Sequence, residues 1–250
     1  MLTENTITKL QQMRLSAMAN AFREQQLDPN MVSLSFEDRF GLLVDQEWST
    51  RKSNHLRKLI KSVGFAEPGA CVEDIEYHSD RNLDKAQIAR FATCTYIAEH
   101  HNILLLGATG SGKTYLACAL GMAAVRNFLT VKYIRLPELL AELAIARANG
   151  TFRKVIQQYK KCSLLILDEW LLYPLKETEA RDLLEIAESR YKNASTIFCS
   201  QFAVAGWREK IGDPILADAI CDRIVHDSYQ VVIDCKESMR KRKGVQELGD

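Results

Sequence analysis

Gly107-Ala108-Thr109-Gly110-Ser111-Gly112-Lys113-Thr114 is the stretch of this 250-residue chain that decides its fold. Its spacing, Gly-x-x-x-x-Gly-Lys-Thr, is that of a phosphate-binding loop. The apolar run Ile103–Leu106 before it predicts a buried strand, and a helical pattern begins at Thr114. Because such a loop needs a strand on one side and a helix on the other, we predict a nucleotide site here.

Each part of this loop has an expected role. The glycines let backbone N–H groups approach phosphate oxygens, and the helix N-terminus adds the positive end of its dipole. Lys113 is expected to reach the β- and γ-phosphates, and the Thr114 hydroxyl to ligate Mg²⁺. The predicted nucleotide-binding residues are Gly107, Ala108, Thr109, Gly110, Ser111, Gly112, Lys113, Thr114 and Tyr115.

Two adjacent carboxylates, Asp168 and Glu169, end a second apolar run, Leu164–Leu167. Asp168 is expected to bind the magnesium ion through its water shell, and Glu169 to polarise an attacking water beside the γ-phosphate. This division favours hydrolysis over phosphoryl transfer to a small molecule. The alternative is that the pair ends a strand in solvent and has no catalytic role.

Other polar residues are candidates for the same site. Ser200 and Gln201 follow the apolar run Thr196–Cys199, where they would orient the water or sense the γ-phosphate, or serve only the structure. Arg223, in an amphipathic stretch, is either a salt-bridged surface residue or an arginine finger offered to the nucleotide of a neighbouring subunit. Arg208 competes for that role, and the sequence leaves the choice open.

The composition indicates a globular protein with no membrane segment. Hydrophobic residues make up 47% of the chain and charged residues 26%, with no run of about eighteen apolar residues and no signal-peptide pattern. The seven cysteines are scattered without a Cys-x-x-Cys pair, which is typical of small buried residues in a reducing compartment. We therefore expect a cytoplasmic location, no membrane partner, and no disulfide framework or metal site built from these cysteines.

The net charge of +1 hides clusters of basic residues that are candidate docking surfaces for an anionic polymer. Any one cluster is equally well explained as the solvated face of a helix, whereas several together favour nucleic acid. One cluster, Arg240–Lys243, lies near the C-terminus. The DNA-binding candidates are Arg51, Lys52, Arg57 and Lys58 in a first cluster, and Arg147, Arg153, Lys154, Lys160 and Lys161 in a second.

The chain divides into two predicted domains. From Thr6 to about Ser62 apolar residues recur at helical spacing, interrupted at Asp28-Pro29-Asn30, which predicts a small helical domain over residues 1–66. In residues 67–250, β-like runs alternate with helical stretches, which predicts an α/β domain whose parallel sheet is covered on both faces. Strands are predicted at 102–106, 130–135, 163–168, 196–200 and 229–234, and helices near 85–98, 114–127, 137–148, 152–161, 176–192 and 207–226.

These motifs, in their order along the chain, resemble the IstB-like family of AAA+ ATPases. The family comprises the transposition helper proteins of bacterial insertion sequences and is related to the DnaC helicase loaders. The phosphate-binding loop is shared by many proteins, whereas Asp-Glu-Trp-Leu-Leu-Tyr-Pro-Leu at 168–175 and the block Trp207–His226 are far more specific. The likeness covers most of the chain, including SFEDRFGLLVDQEWSTRKSNHLRKLIKSVGF in the N-terminal part.

The resemblance implies a fold and further site roles. The fold is a three-layer P-loop AAA+ core over residues 67–250, with a parallel five-stranded sheet in the order 5-1-4-3-2. Ser200 then stands at the position of the first sensor, although many relatives have asparagine there, and Arg223 matches the arginine finger. Ser238-Met239-Arg240 matches a tail signature that places Arg240 near the nucleotide. No full C-terminal lid is expected, so assembly is expected to rest on other contacts, such as the N-terminal helices.

The resemblance also implies cofactors and partners, which are ATP with Mg²⁺, duplex DNA, further copies of the chain and a transposase. Related initiator-type ATPases carry an additional DNA-contacting helix where the basic cluster at 147–161 lies. The leading hypothesis is an ATP-hydrolysing, DNA-binding helper of transposition that oligomerises on DNA. The alternatives are a DnaC-type replicative helicase loader, a largely non-hydrolysing ATP-dependent DNA architectural protein, and a small-metabolite kinase, which the Asp168-Glu169 pair disfavours.

Overall fold

The computed structural model of the chain describes residues 2–234 and 238–243. The chain forms two compact units, Met1–Lys58 and Leu59–Asp250. The sequence-based division into domains at residue 66 stays a prediction.

The first unit is helical. It contains α1 (Leu2–Gln12), α2 (Ser16–Leu27) and most of α3 (Phe36–Val63), whose last residues belong to the second unit. A 3₁₀ turn follows α2, and the Asp28 carboxylate accepts a hydrogen bond from the N–H of Asn30 at its start (2.9 Å). The break predicted at this place is therefore confirmed.

A second break, which the apolar periodicity did not predict, separates α1 from α2. Arg14 has a left-handed backbone (φ 60°), and the N–H of Leu15 bonds to the carbonyl of Leu10 (2.8 Å). This closes α1 in a tight turn that contains neither glycine nor proline. The helical spacing from Leu10 to Phe22 continues across this turn and gives no sign of it.

Helix α3 carries an exposed apolar stripe. Among the apolar side chains at helical spacing near its start, Leu43 is buried, whereas Phe36, Phe40 and Val44 are exposed. Together with Trp48, these three recur every four residues, and the rings of Phe36 and Phe40 stack with centroids 5.9 Å apart. Such contiguous apolar surface is typical of an interaction site.

The second unit is built on a five-stranded parallel sheet. The strands are β1 (Asn102–Gly107), β2 (Val131–Arg135), β3 (Leu164–Trp170), β4 (Ser195–Ser200) and β5 (Ser228–Ile233). Their order across the sheet is β2-β3-β4-β1-β5, so the expected strand order is confirmed. The helices are α4 (Lys85–Ala92), α5 (Thr95–Ala98), α6 (Lys113–Arg126), α7 (Leu136–Ala148), α8 (Phe152–Lys161), α9 (Glu177–Arg190), α10 (Trp207–Ile211), α11 (Pro214–Val225) and α12 (Met239–Lys243).

Helices cover both faces of this sheet, as buried parallel strands require. On one face, side chains such as Leu104, Leu167 and Phe198 share an apolar core with residues of α7 to α11. Helix α6 lies on the other face, where a Cβ at Gly121 would stand 2.7 Å from Ile166 Cδ1. This close approach packs the middle of α6 directly against β3, and the helix itself begins where the glycine-rich loop follows β1.

Two helices predicted as continuous are interrupted. The predicted 207–226 helix is divided into α10 and α11, because the Asp213 side chain caps α11 and Pro214 occupies its first turn. The predicted 85–98 helix is divided into α4 and α5 by Cys94, whose backbone is left-handed (φ 63°). In both places, local backbone geometry overrides the apolar periodicity.

Within the described residues, no helix combines the length and the apolar character needed to cross a membrane. The six cysteines of that part of the chain are free thiols, and Cys235 lies outside it. The same residues contain no cluster of three or more His, Cys, Asp or Glu side chains arranged to hold a metal ion.

Candidate functional site

The nucleotide-site candidates meet at one edge of the sheet. Strands β1, β3 and β4 are neighbours and run parallel, so the loop after β1 and the carboxylates of β3 lie at the same end as Ser200. In the register, Ser200 pairs with Leu106 on one side and with Trp170 on the other. Parallel α/β sheets bind their ligands at this carboxyl edge.

The glycine-rich loop turns directly into α6. Gly112, at the N-cap, has a φ of 91°, a left-handed conformation that favours glycine. Lys113 is buried, and its Nζ donates hydrogen bonds to the carbonyls of Gly107 (2.7 Å) and Ala108 (2.8 Å). The ammonium group therefore lies over the loop, which agrees with its expected role as a phosphate ligand.

A hydrogen-bond network joins this loop to the end of β3. The Thr114 hydroxyl donates to Asp168 Oδ2 (2.8 Å), and the hydroxyl of Tyr133 on β2 donates to the same oxygen (2.8 Å). Asp168 Oδ1 accepts the N–H of Glu169 (2.8 Å). Asp168 is only 5% exposed, so these three donors hold a buried carboxylate in one orientation.

Thr114 and Asp168 offer the donor atoms that Mg²⁺ prefers. A hydroxyl and a carboxylate provide hard oxygen ligands, and this ion usually completes its octahedron with water and phosphate oxygens. The Thr114 hydroxyl can donate its proton to Asp168 and still present a lone pair to a metal ion. The residues predicted to bind magnesium are thus brought together in a chemically suitable pair.

Other ionisable groups around Asp168 are held in their neutral forms. Burial, and to a smaller extent the Asp168 charge, raises the pKa of the Cys118 thiol to about 12. The same causes, burial first, raise the pKa of Cys199 and the pKa of the Tyr133 hydroxyl. Tyr133 therefore keeps its proton and acts as a donor to Asp168.

Glu169 has a strained backbone near the end of β3. Its φ is 54°, and a bulge interrupts the β3–β4 pairing between Leu167 and Trp170. Trp170 is thereby turned into the apolar core, where its ring centroid lies 4.7 Å from that of Phe198. While Trp170 anchors the strand end, the Glu169 side chain is 35% exposed, which allows it to meet a water molecule.

Arg135, which the sequence reasoning missed, lies beside Glu169. It ends β2, and its Nη1 is 3.8 Å from Glu169 Oε1. The same guanidinium pairs with Glu138 on α7. Strand alternation was the available signal, because it places Arg135 on the same sheet face as Tyr133 and, through the β2–β3 register, next to Asp168.

Ser200 is fully buried at the end of β4. Its hydroxyl donates to the carbonyl of Trp170 (3.2 Å) and accepts the N–H of Phe202 (3.1 Å), which ties β4 to β3. The neighbouring Gln201 is exposed. A sensor role for Ser200 stays a prediction, since its hydroxyl would have to leave these partners to contact a phosphate.

Arg81 is a second residue of this region that the sequence reasoning missed. It ends a 3₁₀ turn (Ser79–Arg81), is 4% exposed, and donates to the carbonyls of Ser111 in the loop (2.9 Å) and of Glu76. No periodicity singles out an arginine in such an irregular segment. Arg81 borders a pocket of about 310 Å³ beside the loop, and other lining residues are Glu67, Asp74, Tyr115 and Met239.

The described part of the C-terminal tail folds onto the same loop. The N–H of Met239 donates to the carbonyl of Gly110 (2.8 Å), and the Arg242 guanidinium pairs with the Asp80 carboxylate (2.5 Å). The 3₁₀ turn Ser79–Arg81 therefore contacts the glycine-rich loop through Arg81 and the C-terminal tail through Asp80. Arg240 lies in α12, but its side chain is outside the described part of the structure, so its role stays a prediction.

The two arginine-finger candidates lie on α10 and α11. Arg223 donates to the carbonyl of Ala219 (2.8 Å) and pairs with Glu188 on α9 (2.9 Å). Arg208 pairs with Asp218 (2.9 Å) and is more exposed than Arg223. Either side chain would have to release its carboxylate to reach a neighbouring nucleotide, and the choice between them stays open.

The basic cluster at 147–161 lies on a hairpin formed by α7 and α8, between β2 and β3. Two of its members pair with α9, Arg147 with Asp182 (2.5 Å) and Lys160 with Glu185 (3.0 Å). The Arg147 guanidinium also lies over the Phe152 ring, 4.0 Å from its centroid. The members that are exposed and have no ion-pair partner among the described residues are Arg153, Lys154 and Lys161.

The other basic cluster lies on α3, in the first unit. Arg51 pairs with Glu47 (2.6 Å) and donates to the carbonyl of Arg14 (2.7 Å). These contacts commit its guanidinium to the packing of α3 against the α1–α2 turn. The remaining members, all exposed, are Lys52, Arg57 and Lys58.

Comparison with known proteins assigns the family. The family model of IstB-like ATP binding proteins matches residues 8–247. The chain belongs to this IstB-like family. It is 41% identical over 245 residues to the insertion sequence ATP-binding protein y4pL of Sinorhizobium fredii, covering 97% of this chain and 98% of the relative. It is also 43% identical over 201 residues to the ATP-binding protein of insertion sequence IS1162 of Pseudomonas fluorescens, covering 80% and 87%.

A solved structure supports the fold of this IstB-like protein. The DnaC helicase loader superimposes with a TM-score of 0.58 over 66% of this chain and 97% of that chain, at 20% identity. At this identity the likeness concerns the fold alone, and it confirms the expected α/β core with its parallel five-stranded sheet. The family is described as ATP-binding, and both relatives are named as ATP-binding proteins of insertion sequences.

Proposed function

We propose that this IstB-like protein is an ATP-hydrolysing, DNA-binding helper of transposition that assembles on duplex DNA and works with a transposase. One observation carries the proposal, which is the direct connection between the nucleotide edge and the basic hairpin. Arg135 lies 3.8 Å from Glu169, and α7 begins at the next residue, Leu136. A polyanion that displaces the hairpin would therefore act on the residue beside the candidate base.

Hydrolysis is assigned to Glu169, with Lys113 as the phosphate ligand. The Glu169 carboxylate polarises the water that attacks the γ-phosphate, and Lys113 offsets the negative charge of the β- and γ-phosphates. Thr114 and Asp168 would hold Mg²⁺, which supplies further positive charge at the phosphates when it is bound. The two carboxylates suit different tasks, because Asp168 is buried and accepts three hydrogen bonds whereas Glu169 reaches solvent.

Assembly is proposed to complete the site with an arginine from a neighbouring copy. A planar guanidinium matches the charge that develops on the transferred phosphoryl group. Arg223 is the first candidate and would exchange Glu188 for the nucleotide of the neighbour. The exposed stripe of Phe36, Phe40, Val44 and Trp48 on α3 supports a role for the first unit in contacts with another chain.

Duplex DNA is proposed to contact the exposed cations of the α7–α8 hairpin, with the α3 cluster as a second surface. Phosphate contacts of this kind give an affinity that falls steeply with salt and depends little on base sequence. Arg147 and Lys160 are expected to contribute less, because carboxylates of α9 already neutralise them. The hairpin residues expected to contribute most are Arg153, Lys154 and Lys161.

A time course of duplex binding tests the proposal. Fluorescence anisotropy of a labelled duplex is followed after ATP addition for the natural protein, Lys113→Ala, Glu169→Gln and a control, Glu177→Gln, which changes an exposed carboxylate of α9. The natural protein and the control should bind and then release as ATP is consumed. Lys113→Ala should not respond to ATP, and Glu169→Gln should bind and stay bound. An ATP response of Lys113→Ala equal to that of the natural protein would contradict the proposal.

The likeness to the DnaC loader favours a second candidate function, the loading of a replicative helicase. Pull-down with the tagged natural protein separates the two functions when it is offered a transposase encoded beside its gene and a replicative helicase. Retention of the transposase alone supports the transposition helper. Negligible ATP turnover in the presence of duplex DNA would instead favour a DNA architectural protein that scarcely hydrolyses ATP.

A further inference from the structure

Tyr133 places a phenol hydroxyl on the buried carboxylate at the centre of the nucleotide edge. Its Oη lies 2.8 Å from Asp168 Oδ2, the oxygen that also accepts the Thr114 hydroxyl. The side chain projects from β2, two residues before Arg135, which is the register partner of Asp168. A side chain as long as tyrosine is needed to bring a donor from that position to the end of β3.

The three donors to Asp168 differ in whether they also have a role in binding or hydrolysing ATP. The Thr114 hydroxyl has a second task in the proposed function, as a magnesium ligand, and the N–H of Glu169 belongs to the strained residue that carries the candidate base. Tyr133 has neither task and lies within the packed sheet, 8% exposed. Its hydrogen bond is therefore the side-chain contact that fixes Asp168 Oδ2 independently of the nucleotide.

We propose that Tyr133 is a positioning residue for magnesium-dependent nucleotide binding, acting through Asp168. The inference rests on the proposed function, because it assigns to Thr114 and Asp168 the metal that accompanies ATP. A partner that orients a ligating carboxylate contributes strongly to metal affinity, and its loss typically costs about 10- to 100-fold. Tyr133 is not a catalytic residue, since its hydroxyl is committed to Asp168.

The chain provides a matched control in Tyr96. This side chain is as deeply buried, at 2% exposed, and its hydroxyl has no hydrogen-bond partner within residues 2–234 and 238–243. Tyr133→Phe and Tyr96→Phe thus each remove one buried phenol oxygen and keep the ring. They differ in whether that oxygen contacts Asp168, so a general effect of losing a buried hydroxyl appears in both.

The experiment measures the affinity of a fluorescent ATP analogue across a magnesium chloride titration, for the natural protein and both variants. In the absence of magnesium, all three should bind the analogue equally, which also shows that they are folded. In Tyr133→Phe, the magnesium concentration that half-saturates the gain in affinity should rise about tenfold or more, while Tyr96→Phe should follow the natural protein. Steady-state ATP turnover should show the same displacement along the magnesium axis.

Each outcome decides the inference. Equal magnesium dependence in Tyr133→Phe and Tyr96→Phe would overturn it, and so would a Tyr133→Phe chain that cannot bind the analogue without magnesium, because the hydroxyl would then be a requirement of the fold. If the nucleotide affinity of the natural protein does not depend on magnesium, that result would instead contradict the proposed function itself. The failure of the inference and the failure of the function are therefore distinguishable.

Discussion

The nucleotide edge and the α7–α8 hairpin both carry lysines and arginines, but their sequences determine their chemistry in different ways. At the edge, Lys113 contacts carbonyls five and six residues away, within a motif that also specifies the turn. On the hairpin, the state of Arg147 is set by Asp182, and that of Lys160 by Glu185, both on another helix. A local motif therefore predicts a site by itself. For a cluster of basic residues, only the fold shows which members are ion-paired and which are exposed.

The largest effect is expected at the nucleotide edge, from substitution of Glu169. Glu169→Gln removes the candidate base and keeps the size of the side chain, so ATP turnover should fall about 100-fold or more while ATP binding is retained. Single-turnover hydrolysis and analogue binding, measured side by side, check both parts. Turnover within about twofold of the natural protein would remove Glu169 from the mechanism, and Glu177→Gln serves as the control for loss of one carboxylate.

Lys113→Ala is expected to have the next largest effect. The ammonium group would make charge-assisted hydrogen bonds to phosphates, worth about 3 kcal/mol, so the affinity for ATP should fall about 100-fold. Equilibrium titration with a fluorescent ATP analogue measures this loss. Because Lys113 bonds to carbonyls of the loop, thermal unfolding of the free chain should be followed as well, and a folded variant that binds ATP normally would contradict the site.

Two double variants sharpen the comparison on the hairpin. The first, Arg153→Gln with Lys154→Gln, removes two exposed positive charges. The second, Arg147→Gln with Lys160→Gln, also removes two positive charges, but from side chains that are paired with carboxylates of α9. The exposed pair should lower duplex affinity about tenfold and reduce the slope of log affinity against log salt by about 2, since each phosphate contact contributes about 0.9. The α9-paired members should change the slope by less than about 1.

Anisotropy titrations of one duplex at several salt concentrations give both slopes. If the two double variants behave identically, the hairpin acts only through its net charge. The ion pairs between the hairpin and α9 would then have no effect on DNA binding.

The smallest expected effect concerns the tail. Asp80→Asn removes the negative charge that pairs with Arg242, and since both side chains keep contact with solvent, this loss should cost about 1 kcal/mol and speed nucleotide release up to about fivefold. Stopped-flow displacement of a fluorescent ATP analogue measures this rate. A charge exchange, Asp80→Arg with Arg242→Asp, should restore part of the slow release, and a release rate that is unchanged in Asp80→Asn would separate the tail from the nucleotide site.

The sequence predicted the features that local rules control. The loop and the meeting of Thr114 with Asp168 follow from short motifs at the ends of two strands, whereas the strand order was implied by the resemblance to the IstB-like family. Arg81 and Asp80 could not be predicted, because an irregular segment has no period that would bring them to Ser111 and Arg242. The breaks at Arg14 and Cys94 were missed for a related reason, since both positions are left-handed without glycine.

The central claim is that nucleotide binding controls the assembly of the protein on DNA. Sedimentation velocity of the natural protein with one duplex, measured without nucleotide, with ADP and with ATP at about 0.15 M salt, tests it most directly. The account predicts large protein–DNA complexes with ATP and much smaller species in the other two samples. Identical sedimentation in all three, or a chain that stays monomeric on DNA with ATP, would contradict it.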